Sequence, residues 1–247
     1  MPLTIVNPDP RYPRAELIEP PATGYLLLAA EVTAPVGRTP LRRRSPRKAA
    51  LLAELRALAP ALEELPEVTR VTVYRSALVP PLSADARRMA ARPAQYDVVV
   101  LVETTTPDAA AAVAGGPELG RLRAAITAGA RAVYFTRARC VRRLGDVDKT
   151  RPGLFLFNYF VAEDREVALE LWDYLAGWYA AETGLDNSTL LSPVDDDDYT
   201  CINHARWDMS LPAFAVRQFG KRSFFRYVLA NMHANGTAAM PVLYRLA

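Results

Sequence analysis

An α+β fold of two β-α-β-β-α-β repeats is predicted for this 247-residue chain by three observations. Its apolar segments switch between two-residue and helical spacing. They do so in the order strand, helix, strand, strand, helix, strand, and that order occurs twice. A polar link, Gly145 to Pro152 (GDVDKTRP), separates the two copies. Each copy reads as a ferredoxin-like unit, an antiparallel sheet with helices on one face. The bare second faces must be buried. Packed against each other, they make an intramolecular barrel with all helices outside. The expected parts are an extended arm over residues 1–22, an N-terminal repeat over 23–145 and a C-terminal repeat over 153–247.

Six prolines (Pro2, Pro8, Pro10, Pro13, Pro20 and Pro21) keep the arm out of a helix, so it must lean on the body or stay mobile. Tyr25 to Thr33 reads as the first strand. A loop with Pro35, Pro40 and the run Arg42 to Arg44 follows, read as solvated rather than anion-binding. Ser45 and Pro46 supply an N-cap and first-turn proline for a helix to about Leu65. Leu51, Leu52, Leu55, Leu58 and Leu62 form its buried stripe, and Pro60 predicts a kink or early stop. Val68 to Val79 alternates as a strand and ends at Pro80 and Pro81. A polar stretch over 83–94 leads to Tyr96 to Val102, whose β-branched run predicts a strand covered on both faces. Pro107 to Ala114 and Glu118 to Ala128 form a helix broken at Gly115 and Gly116, and Ala132 to Val141 is the fourth strand.

The second copy opens with the strand Gly153 to Ala162. Asp164 caps a helix to Thr183 with Val167, Leu171, Leu175 and Trp178 inward and Gly184 as its stop. Leu185 to Leu191 is a short strand and Pro193 to Asp197 a turn. Tyr199 to Trp207 is the third strand. Ser210 caps a helix interrupted near Gly220 and resumed over Ser223 to Met232. Ala239 to Leu246 closes the copy, with Pro241 restricting its pairing.

Charge and composition exclude several functions. Thirty basic and 27 acidic residues leave a net charge of +3, which gives no footprint for nucleic acid. Cys140 and Cys201 lie inside strands, which argues for buried thiols rather than a disulfide framework, and no ligand spacing marks a metal site. No apolar run is long enough to span a bilayer, and the N-terminus lacks a signal pattern. A soluble, cytoplasmic protein is expected. The run Asp195 to Asp198 lacks the spacing of a calcium loop and reads as a hairpin tip.

The chemistry gathers in Asp198 to Asp208, DYTCINHARWD. Strand alternation puts Cys201, Asn203 and Trp207 on one face and His204 and Arg206 on the other. A buried amide needs partners for both its ends, so Asn203, like Asn158 in FLFNYF, satisfies either the backbone or a ligand. Trp207 is a core residue or a ring that stacks on a ligand and offers its indole N–H. His204 reads as a satisfied interface histidine or a base facing the barrel, and Arg206 with Asp208 as an ion pair or loop contacts. Trp172, Tyr174, Trp178 and Tyr179 are core by spacing, part of the set being placed to roof an aromatic pocket. Cys201 has no activating cation in sequence.

Asn158 on the opening strand, a helix ending in ETG, a hairpin and a strand of the form N-x-x-x-W together resemble the dimeric α+β barrel superfamily, in its antibiotic-biosynthesis monooxygenase type. The resemblance covers residues 153–247 by motif and 24–142 by element order. It implies a cofactor-independent, quinone-forming monooxygenase of aromatic polyketide-like substrates, with dioxygen as the second reactant. Asn158, Asn203 and Trp207 would be the catalytic set, stabilising the enolate or carbanion of a phenolic substrate, with His204, Trp178 and Arg217 as further substrate contacts. The heme-degrading branch requires a histidine on the helix after the Trp. This chain offers Arg217, Arg222 and Arg226 there, and His233 only at the far end, so no heme and no other cofactor is expected. The first repeat lacks Asn and Trp at the matching strands, which implies one site per chain. A non-oxidative cyclase or isomerase, and a non-catalytic ligand-binding accessory protein, remain the alternative readings. A monomer and a homodimer are both compatible with the sequence.

Overall fold

The computed structural model describes residues 2–34 and 45–247. The loop read from Pro35, Pro40 and Arg42 to Arg44 lies outside the described residues. The N-terminal half runs β1 (Gly24–Glu31), α1 (Pro46–Glu63), β2 (Val68–Leu78), α2 (Ala84–Met89), β3 (Val98–Thr104), α3 (Pro107–Ala114), α4 (Pro117–Gly129) and β4 (Ala132–Gly145). The C-terminal half runs β5 (Leu154–Ala162), α5 (Arg165–Thr183), β6 (Ser188–Pro193), β7 (Cys201–Trp207) and α6 (Leu211–Phe219). A π-helical turn (Phe224–Leu229), α7 (Ala230–Ala234) and β8 (Thr237–Leu246) complete it.

The strands close into one antiparallel barrel in the order β1-β3-β2-β8-β5-β7-β6-β4. Each half contributes four neighbouring strands, β4-β1-β3-β2 and β8-β5-β7-β6, and the halves join through β2–β8 and β4–β6. Closure within one chain leaves no strand edge unpaired in the ring. The interior is a packed core. Tyr74, Tyr96, Phe155, Phe157, Tyr159, Tyr199 and Tyr244 fill it and are almost fully buried. No helix among the described residues is long and apolar enough to cross a membrane.

The helices begin and end where their caps place them. The Ser45 hydroxyl accepts from Lys48 N–H at the start of α1, and the Asp164 carboxylate accepts from Glu166 and Val167 N–H at the start of α5. Gly184 ends α5 at φ +71°, a left-handed turn that suits glycine. Pro60 sits in the last turn of α1, where its missing N–H removes one helical bond to the preceding turn, and the helix ends at Glu63.

Three segments differ from expectation. The short strand begins at Ser188 rather than Leu185, because the Asn187 side chain takes over the pairing there: its Oδ1 accepts from Arg206 N–H at 2.9 Å and its Nδ2 donates to Arg206 O at 2.8 Å. The polar stretch after Pro81 contains α2, capped by Ser83. The helix after Gly220 reopens as a π-helical turn, a wider coil found often beside functional sites.

The arm leans on the C-terminal helices. Asn235 and Asn231 each hold its backbone with a donor and an acceptor, at Thr4 and Val6. Tyr12 is buried against Trp178 and Tyr227. Gly177 is what lets the arm approach, since a Cβ there would sit 1.8 Å from Pro13 O.

Candidate active site between the sheet and the C-terminal helices

Along β5, Phe155, Phe157 and Tyr159 enter the barrel core, so Leu156, Asn158 and Phe160 face the helices. The same alternation on β7 turns Cys201, Asn203 and Trp207 to the helix side. Asn158 and Asn203 are direct register partners between the two strands. Cross-strand partners hold their Cβ atoms ~5 Å apart, so the two amides form one polar patch on an otherwise apolar face.

That patch borders a cavity of about 50 Å³ under α5, lined by Asn158, Asn203, Trp207, Trp172, Ser188 and Cys201 among mostly apolar residues. A second cavity, of about 270 Å³, adjoins it and shares Leu156, Asn158, Tyr179, Val228, Met232 and Thr237. Its lining includes Pro80 and Pro81, just after β2, and Pro241 on β8. Pro241 pairs only with Asn158 on the β5 side; the β2–β8 ladder has already stopped at Leu78↔Leu243. A residue with no N–H is tolerated at such a gap. Ligand pockets typically measure ~300–1,000 Å³, a range that the two adjoining cavities reach together.

Asn203 has a fixed orientation. Its Oδ1 accepts from Trp172 Nε1–H at 3.2 Å and from Ser188 Oγ–H at 2.6 Å. An indole N–H can only donate, so the amide oxygen must face it and the NH₂ is left directed away from both partners. Asn158 is the opposite case. Its Oδ1 is buried without a hydrogen-bond partner, an arrangement that costs ~1–3 kcal/mol when nothing fills it. Gln218 Oε1, on α6 at the wall of the larger cavity, is likewise buried and unpartnered.

Trp207 lines the cavity with its ring, packed at 4.7 Å against Phe214, but its N–H is already used. Nε1 donates to Thr183 Oγ1 at 3.0 Å, and that hydroxyl donates to Tyr179 O at 2.6 Å. The expected role of this indole as a donor to substrate is therefore corrected: the N–H ties β7 to the end of α5. Burial pushes the Cys201 thiol up to about 12, which leaves it a neutral apolar wall.

No protein-family model matches the chain, and no curated protein is similar to it in sequence. Solved structures do match. An anthrone oxidase-like protein superposes at TM-score 0.66 over 92% of both chains with 10% identity. A candidate monooxygenase from Fusobacterium nucleatum subsp. nucleatum gives 0.57 over 92% of this chain and 93% of its own, with 6% identity. A chlorite dismutase variant from Candidatus Nitrospira defluvii gives 0.51 over 94% of both chains, with 11% identity. The fold is a dimeric α+β barrel closed within one chain.

In this α+β barrel the remaining predicted contacts lie away from the cavities. His204 is inside the barrel core, 1% exposed, on the opposite side of the sheet from Asn203. Its Nδ1 faces Leu156 O at 3.0 Å and must carry the proton, so Nε2 accepts from the Tyr74 hydroxyl at 3.1 Å. The ring stacks on Phe157 at 4.2 Å. Burial, then the charge of Lys149, pushes its pKa down to about 3, so it is a neutral core residue and not a substrate contact. Trp178 is also displaced from the expected role: it is fully buried under the arm and donates to Ser223 Oγ at 3.0 Å. Helical spacing explains this, because Trp172, Leu175, Ala176 and Tyr179 make the cavity stripe, and Trp178 turns toward the arm. Arg217 is exposed on the outer face of α6, whose inward positions are Phe214 and Gln218.

The α+β barrel presents no imidazole to the cavity. His233 is exposed on α7 and contacts Asp85 at 3.1 Å. The residues present thus do not supply the helix-borne ligand that the heme-degrading reading needs. Three of the four carboxylates at 195–198 have separate partners: Arg137 on Asp195, Tyr134 on Asp197 and Arg92 on Asp198. In the N-terminal half, the register pair matching Asn158 and Asn203 is Leu28 and Val100, buried in an apolar cluster with Leu51 and Leu55 of α1.

Ser188, Thr183 and Gln218 are the site residues that motif reading missed, whereas Trp172 and Tyr179 belong to the aromatic set expected to roof a pocket and do line the cavity. Gln218 had a visible signal, a polar residue spaced on the Leu211–Phe214 stripe of α6. Ser188 had none, since it joins the site only through the β6–β7 register.

Proposed function

We propose that the protein is a cofactor-independent oxygenase of phenolic, fused-ring aromatic substrates, working in the C-terminal cavity. One observation carries this: an oriented amide donor, Asn203, beside an unpartnered amide, Asn158, on a buried apolar wall. Donors aimed at a developing oxyanion in a water-poor site stabilise it far more than water does. No carboxylate or imidazole lines the smaller cavity, and Asp85 at the larger one is paired with Arg88 and His233, so the amides make the bound substrate more acidic and its proton passes to solvent water, which later protonates the peroxide. The resulting carbanion passes one electron to dioxygen, and the radical pair recombines to a carbon-bound peroxide. Loss of water then leaves a ketone: CH₂ and O₂ become C=O and H₂O, with no outside reductant. The likeness to an anthrone oxidase-like protein supports the reading at the level of fold.

The test is oxygen uptake by the purified protein with 1,8-dihydroxy-9-anthrone and no added cofactor. Uptake above the protein-free rate, with one oxygen consumed per quinone formed, is expected. Anaerobic turnover at an undiminished rate would replace this reading with a cyclase or isomerase.

A further inference from the structure

Gln218 occupies a position that the fold reserves for an apolar side chain. It follows Leu211 and Phe214 on the inward stripe of α6, is 6% exposed, and its Oε1 has no hydrogen-bond partner. Its side chain lines the larger cavity, among Phe214, Phe219, Phe224 and Leu243. Asn158 lines the same cavity from the sheet, is 8% exposed, and is also unpartnered at Oδ1. Two buried amides on facing elements, each lacking a partner, bound an apolar space. A buried polar group without a partner in the chain calls for one from outside it, a water, an ion or a ligand, and two of them on one cavity favour a ligand.

The geometry points to Gln218 as a specificity-determining residue that hydrogen-bonds an oxygen on the end of the ligand remote from Asn203. The ligand class is therefore a flat, apolar ring system with a hydrogen-bonding oxygen at each end: one for Asn158 and Asn203 beneath α5, the other for Gln218 beneath α6. Neither Asn158 nor Gln218 is oriented by a protein partner, so each can present its NH₂ or its carbonyl. A phenol, which both donates and accepts, satisfies either. This inference rests on the reading of the Asn158–Asn203 cavity as the substrate pocket.

The experiment compares 2-hydroxyanthraquinone, with a hydroxyl at one end, and 2,6-dihydroxyanthraquinone, with one at each end. Binding is read by quenching of tryptophan emission, since Trp172 and Trp207 line the pocket. In the natural protein the dihydroxy compound is expected to bind about tenfold more tightly, the effect of one added buried hydrogen bond. In Gln218→Leu, which suits the apolar stripe, the ratio should fall to near one; Gln218→Met should behave the same way. Equal affinities in the natural protein, an unchanged ratio in both variants, or no binding of either quinone overturns the inference. If the anthrone is still oxidised in those cases, the oxygenase reading survives alone. A Gln218-dependent ratio without any oxygen uptake keeps the inference and removes the oxygenase reading.

Discussion

Asn158 and Asn203 stand directly opposite each other on β5 and β7, yet only Asn203 has its amide oriented, through Trp172 and Ser188. The two side chains therefore differ in role. Asn203 is a fixed donor, and Asn158 takes its orientation from what binds.

Replacing Asn203 with Leu removes that donor. We expect kcat for the anthrone to fall by about 10²–10³-fold, the usual loss for an oxyanion donor. Thermal stability should fall by about 1–3 kcal/mol, because the Trp172 N–H and the Ser188 hydroxyl lose their acceptor, so kcat is compared on the folded variant. A folded variant that still turns over at the natural rate would remove Asn203 from the mechanism.

Trp172→Phe keeps the ring and deletes the N–H that holds the Asn203 oxygen. Ser188 can donate or accept, so the amide is then free to flip. A drop in kcat of roughly tenfold with little change in KM is expected, as for loss of one hydrogen bond acting mainly in the transition state. A rise in KM at unchanged kcat would place Trp172 in simple ring contact with the ligand.

Trp207→Phe is expected to act on stability. The bond to Thr183 and part of the packing against Phe214 are lost, a cost of about 1–2 kcal/mol in urea unfolding. The kcat of the folded variant should stay within a few-fold of normal. A large kcat loss at unchanged stability would return the indole to a direct role.

His204 sets a pH dependence of folding. Burial lowers its pKa from 6.5 to about 3, so the unfolded chain binds the proton more readily. The stability that depends on its neutrality is complete above pH 6.5 and is lost as pH falls toward 3, with a slope of up to ~1.4 kcal/mol per pH unit. His204→Phe should flatten that part of the stability profile relative to the natural protein. Parallel profiles over this window would mean that the ring is protonated in the folded state.

Gly177→Ala places a methyl group against Pro13 O, where the available distance is 1.8 Å. The arm should be displaced at a cost of roughly 1–3 kcal/mol, as for other overpacked contacts. Faster proteolysis within the first twenty or so residues would report it. Unchanged digestion would show that α5 can shift to accept the methyl.

The repeat order, the strand faces and the placing of Asn158, Asn203 and Trp207 on one surface were all legible in the chain. They follow from two-residue alternation on strands, which holds wherever one face meets a core. His204 was legible as a barrel-facing residue for the same reason. Trp178 was not legible as an arm contact, because a helix buried on more than one side has no single inward stripe. Its neighbours come from the far end of the chain, at Tyr12 and Ser223.

The sequence by itself thus determined two repeats, the barrel they close, and the polar pair that only the second repeat carries. The tertiary structure decided what each polar group is free to do. Trp207 spends its N–H on Thr183, Trp172 fixes Asn203, and Gln218 and Asn158 are left unpaired across a cavity. Periodicity reports which face a side chain takes. The partner on that face is supplied by segments distant in sequence, so only the packed chain reveals it.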